Sequence, residues 1–157
     1  MLVGLLTSTF KRRFMMIETF TALMVLFLVK HFLADFPLQN AYMSGKSKDG
    51  WDFVLPLLAH VGTHAIFTLF ITYAFTRSVG FSLGMALLDL SIHFVMDRAK
   101  AGKKYLGRFK QLAGSEFAHA TPAELRANKF FWCAFGFDQL VHCLTYCAII
   151  YLIVTHS

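Results

Sequence analysis

Charge is scarce in this chain. Of its 157 residues only 15% are Asp, Glu, Lys or Arg, 57% are apolar, and the mean hydropathy is +0.56. That is too little charge for the surface of an ordinary soluble domain, so the expected solvent is lipid. Eighteen phenylalanines agree, because aromatic side chains too numerous for a small core can face acyl chains at little cost. Cysteine is equally sparse. Cys133, Cys143 and Cys147 share one apolar stretch, and three residues without regular spacing exclude a disulfide framework and a zinc knuckle, leaving helix packing as their role.

What is abundant is long apolar sequence. Four windows approach or exceed the roughly 20 residues that cross the hydrocarbon: Met16–Phe36, Phe53–Phe75, Val79–Asp97 and Phe130–Val154. The expected architecture is all-α and polytopic, one membrane domain over residues 1–157 with four transmembrane helices. Pro37 ends the first window, since it lacks an amide donor and crowds a helical residue before it. Pro56 falls in the first turn of the second, where proline is tolerated. Arg77 and Ser78 mark a tight turn between the second and third. Thr121-Pro122-Ala123-Glu124 reads as a helix start with a capping box, opening a short amphipathic helix on the membrane surface.

Net charge is +6, which raises nucleic acid as a partner. Most of the basic residues, however, lie between Arg98 and Lys129 beside an apolar window, so anionic lipid headgroups are the simpler partner and no nucleic acid is expected. Lys46, Lys48 and the basic loop 98–129 fall on one side of the bilayer, with Lys11, Arg12, Arg13 and Arg77 on the other. The positive-inside rule then makes the loop cytoplasmic and places both termini outside, although Lys11 to Arg13 pull the other way. Met1 to Phe10 precede these charges, the wrong order for a secretory signal, and are expected as a surface segment, with initiation at Met15 or Met16 the alternative.

Polar residues inside the windows are the informative feature. They come in pairs: His31 and Asp35, His60 and His64, His93 and Asp97, Asp138 and His142. Every pair is spaced i, i+4, which on a helix puts both side chains on one face about 5 to 6 Å apart. Because odd and even spans run in opposite directions, the end of one and the start of the next share a membrane side. All eight groups therefore converge at one level near the cytoplasmic face. A charged residue near the bilayer centre costs at least ~2.5 to 3.5 kcal/mol, and a bound cation compensates such groups. Imidazole with carboxylate suits a divalent transition metal, zinc first and iron or manganese next. Eight donors exceed one tetrahedral shell, so the expectation is two ions, or one ion with further groups behind its ligands. The alternative is that these groups only hydrogen-bond across helices.

Around this set, Asp97, Asp138 and Lys100 are the candidate catalytic residues, Lys100 following Asp97 by three and suited to holding a phosphate. Gln39, Gln139 and Asp89 are candidates to orient ligands from behind, with packing an equal alternative. Lys30 points about 100° away from His31 and is expected to snorkel. The polar positions also hint at duplication, as two related helical hairpins with the site at their interface.

His31-Phe-Leu-Ala-Asp35-Phe-Pro-Leu-Gln39, His60-x-x-x-His64, His93-x-x-x-Asp97-x-x-Lys100 and Asp138-Gln139-x-x-His142 resemble, in that order, the motifs of a family of small bacterial and phage membrane proteins described as a domain of unknown function. The resemblance runs from Thr21 onward and implies the membrane setting and the site, without a reaction. A looser similarity to membrane-bound metal-dependent hydrolases is one of style only. The expected function is a metal-dependent hydrolase acting on an anionic or phosphate-containing lipid or headgroup. Alternatives are a divalent-cation or proton transporter, in which four helices imply a homo-oligomer, and a non-enzymatic phage or bacterial effector with a structural metal site.

Overall fold

A computed structural model describes the backbone of residues 2–102 and 119–156, with side chains from residue 10 onward. Within these limits the chain is helical. Helix α1 is Leu2–Asp35, α2 Val54–Thr76, α3 Val79–Ala101, α4 Pro122–Ala127 and α5 Lys129–His156, with a 3-10 turn, η1, at Met43–Ser47. Four of them, α1 from Phe10 onward, α2, α3 and α5, are long and apolar enough to cross a membrane. Lys103, Lys104, Arg108, Lys110 and Glu116 of the basic loop lie outside the described residues.

The helix ends follow from local chemistry. α1 stops at Asp35, two residues before Pro37. At its other end residues 2–9 continue the same helix, ahead of the apolar span that starts at Phe10. The basic run Lys11 to Arg13 consists of good helix formers, and no proline interrupts it. Arg77 turns the chain with φ 54°, and Ser78 then caps α3 by accepting from the Phe81 amide at 3.4 Å. α3 runs four residues past the expected end at Asp97, which carries Lys100 on the helix rather than in the loop. The capping box of α4 forms as expected: Thr121 Oγ1 accepts from the Glu124 amide at 3.3 Å while Glu124 Oε2 accepts from the Thr121 amide at 2.7 Å.

α2 and α3 form the most extensive pair, α1 packs on α5, and α3 also packs on α5. Large apolar side chains such as Leu26, Phe32, Ile66, Phe70, Leu87 and Leu144 point outward, as a lipid-facing surface requires. Two apolar clusters hold the bundle from within. Leu23 and Phe27 of α1 pack with Tyr146, Ile149, Ile150 and Ile153 of α5 in one half, and Phe53, just before α2, with Leu57 and Val61 of α2 meets Leu90 and Phe94 of α3 in the other. The loop before α2 is fastened to α3 by Arg98, whose guanidinium lies 3.6 Å from the Phe53 ring centroid and donates to Lys48 O at 3.0 Å. Fixing this loop brings Lys46 over the end of α3.

Candidate metal centre

The end of α1, the start of α2, the end of α3 and the start of α5 meet at one level, and there all eight paired residues come together. His60, His64, His93 and Asp138 are fully buried, Asp97 and His142 nearly so, and Asp35 is the most open of the set. The i, i+4 spacing turns each pair inward as a unit.

Two carboxylates organise the cluster. Asp35 Oδ1 stands 3.0 Å from His64 Nε2 and 3.4 Å from His60 Nε2, and its Oδ2 3.2 Å from His31 Nε2. Asp97 Oδ2 lies 3.0 Å from His60 Nε2, and its Oδ1 3.9 Å from His142 Nε2. His60 thus sits between the two carboxylates. Beside Asp97, the Lys100 ammonium is 3.2 Å from Asp97 Oδ1 and donates to Asp138 Oδ2 at 2.7 Å, while His142 Nε2 is 3.2 Å from Asp138 Oδ1. In three trios a donor atom from each member lies within 4.8 Å of the others: His31, His64, His93; Asp35, His60, His64; and Asp97, Asp138, His142.

The groups expected behind the ligands divide. Gln139 joins, its Oε1 2.9 Å from His31 Nε2 and its Nε2 donating to Asp138 Oδ2 at 3.1 Å. Asp89 joins too, with Oδ1 at 3.1 Å and backbone O at 3.0 Å from His93 Nδ1. Gln39 is half-buried past the end of α1, and among the described residues none of the cluster's contacts involves it.

Three partners were not anticipated. Tyr146 Oη joins His31 Nδ1 at 2.7 Å to His93 Nε2 at 3.1 Å, and its position one turn beyond His142 is the sequence signal that points to it. Lys46 Nζ approaches Asp97 Oδ2 at 3.5 Å; burial lowers the pKa of this loop ammonium while Asp97 pulls it up. Lys30 does not snorkel. It is buried, pairs with Asp89, and donates to Thr68 Oγ1 at 2.9 Å. A lysine buried this fully is neutralised more cheaply by a facing carboxylate than by stretching to the interface.

Several buried atoms of the cluster lack a hydrogen-bond partner among the described residues: both ring nitrogens of His60, Nδ1 of His64 and of His142, and Oδ1 of Asp138. His60 Nε2 is close to two carboxylates yet aligned for a hydrogen bond with neither. A convergent set of imidazoles and carboxylates with such orphans is one that could hold a cation.

Fold and site together define an all-α polytopic membrane protein with a polar centre enclosed by its helices. The chain belongs to the family described as protein of unknown function (DUF3307), whose profile matches residues 23–157. Neither the curated proteins nor the solved structures yield a match.

Proposed function

We propose that the chain is a membrane-embedded metal-dependent hydrolase that cleaves a phosphate-containing lipid or headgroup at the cytoplasmic face of a bacterial inner membrane. The observation that carries this reading is the trio Asp35, His60 and His64, in which Asp35 Oδ1 stands 3.0 Å from His64 Nε2 and 3.4 Å from His60 Nε2 while both His60 ring nitrogens lack a hydrogen-bond partner among the described residues. Donors around a tetrahedral ion at 2.0 to 2.1 Å stand about 3.3 to 3.4 Å apart, so the trio is near the spacing a zinc-sized ion requires. His31 and Asp97 are next in line as further ligands.

The second trio differs, because Lys100 already supplies positive charge between Asp97 and Asp138. This favours one ion at Asp35, His60 and His64, with Asp97, Asp138, His142 and Lys100 left for proton transfer and charge stabilisation. A divalent ion lowers the pKa of water and polarises a phosphoryl oxygen. Asp138, paired with His142, is the candidate to take the proton of the attacking water as its oxygen bonds to phosphorus. As the P–O ester bond breaks, its oxygen leaves with the proton that Asp138 took from the water, and Lys100 and Lys46 counter the charge of the phosphoryl oxygens. Anionic headgroups gather at the basic loop.

Elemental analysis of the detergent-purified protein beside a His60→Ala/His64→Ala variant of matched helicity tests the centre. About one equivalent of zinc, iron or manganese in the parent and none in the variant is the expected result. Phosphate release from anionic phospholipid vesicles, lost in Asp138→Asn with the metal retained, is expected next. Absence of metal after supplementation overturns the reading. Full biological activity in the metal-free variant favours instead a membrane effector with a structural metal clip.

A further inference from the structure

The polar groups do not stop at the metal centre. On α2, every fourth position from His60 is polar: His64, Thr68, Thr72 and Thr76, with the first three after His60 fully buried or nearly so. On α3, Asp97, His93, Asp89 and Ser82 are buried and Ser78 caps the far end. Because α2 and α3 are the tightest pair of the bundle, these residues form one seam from the centre to the Arg77–Ser78 turn at the opposite face.

Thr72 breaks the pattern of its neighbours. Membrane threonines and serines ordinarily return the hydroxyl to a carbonyl one turn back, as Thr63 does to Ala59, Thr76 to Thr72, Ser82 to Ser78 and Thr145 to Val141. Thr68 instead donates to Asp89 Oδ2 at 2.6 Å. Thr72 Oγ1, fully buried, has no hydrogen-bond partner among the described residues. In a lipid-embedded bundle an unpaired hydroxyl is costly, and it marks the place of a group that binds it.

The Thr68 to Asp89 contact fixes the register of the two antiparallel helices. Thr72 lies about 6 Å along the axis from Thr68, and Ser82 about 4.5 Å further on. A single water with two ordinary hydrogen bonds at its tetrahedral angle spans about 4.6 Å, near the axial step from Thr72 to Ser82, and the longer step from Thr68 to Thr72 takes a second water. Ala86 of α3 keeps the opposing side chain small near this level.

We propose that the far half of the α2–α3 seam is a water-bearing path, with Thr72 Oγ1 as a ligand of one bound water, joining the His and Asp centre to the membrane face opposite its opening. The ligand is water, and the path is independent of whether the centre holds a metal. The centre thereby reaches both faces of the membrane.

Cysteine accessibility tests this in proteoliposomes, with Cys133, Cys143 and Cys147 replaced by alanine. A small methanethiosulfonate reacts only with thiolate, which forms only against water, so Thr72→Cys and Ser82→Cys are expected to react at least about tenfold faster than Leu83→Cys on the lipid side. Rates equal to that of Leu83→Cys, while Ser78→Cys at the turn reacts fast, overturn the path. If these variants fail to assemble, radiolytic labelling of the unsubstituted protein decides. Met85, level with Thr72, is then oxidised several-fold faster than Met24 of α1, which packs in the same apolar cluster; equal rates overturn the proposal.

Discussion

Lys30 of α1 and Asp89 of α3 form an ion pair inside the bundle, sealed from solvent on both sides and shared with the Thr68 hydroxyl. Breaking a buried pair leaves one charge without a partner, at a cost of about 3 to 5 kcal/mol, whereas replacing both partners together often costs little. Lys30→Met and Asp89→Leu are each expected to lower the Tm in detergent sharply, and the double variant to recover most of the loss. A double variant as unstable as the sum of the two singles contradicts the pairing.

Tyr146 holds two imidazoles at once, and its hydroxyl has no equivalent in phenylalanine. Tyr146→Phe keeps the ring against Phe27, 5.3 Å between centroids, but frees His31 and His93 to turn. Groups that orient metal ligands typically alter affinity by about 10- to 100-fold when removed. Chelator competition is expected to show a loss of that size with the helical content unchanged; unchanged metal affinity separates Tyr146 from the centre.

Arg98 fastens the loop that brings Lys46 to Asp97. Arg98→Ala removes the contact with Phe53 and the hydrogen bond to Lys48 O, together worth about 1 to 2 kcal/mol locally. Trypsin is expected to cut after Lys46 and Lys48 faster in the variant than in the parent. Equal cleavage rates show that the loop is held by other contacts.

The capping box of α4 carries a pH dependence. The Thr121 amide, and then its hydroxyl, hold the Glu124 carboxyl below its usual range. A carboxylate favoured by the folded state contributes above its unfolded pKa of about 4.3, and the contribution fades as pH falls through the lowered folded value. Trp132 donates to Arg126 O at 3.2 Å and reports on this corner. In Trp51→Phe its emission is expected to shift as the pH falls below that range, and in Trp51→Phe/Glu124→Gln to stay flat, since glutamine caps without titrating. A shift of equal size in both excludes Glu124 as the cause.

Much of the centre was legible in the sequence because its logic is helical. The i, i+4 spacing of His31 with Asp35 or Asp138 with His142 survives any packing, and alternating span direction fixes their common level. Lys30 shows where that logic ends: its angle from His31 was readable, but not that this angle faces α3 and Asp89. Lys46 was hidden differently, since a loop residue reaches Asp97 only after Arg98 has docked the loop.

The sequence by itself determined the membrane setting, the helices and which residues share each helix face, since hydropathy, proline and spacing act locally along the chain. Only the tertiary structure decided which faces meet, because the rotation of each helix about its axis is set by side chains packing across the bundle. That rotation put Tyr146 between two histidines, paired Lys30 with Asp89, left Gln39 apart from the cluster, and buried the Thr72 hydroxyl without a hydrogen-bond partner among the described residues.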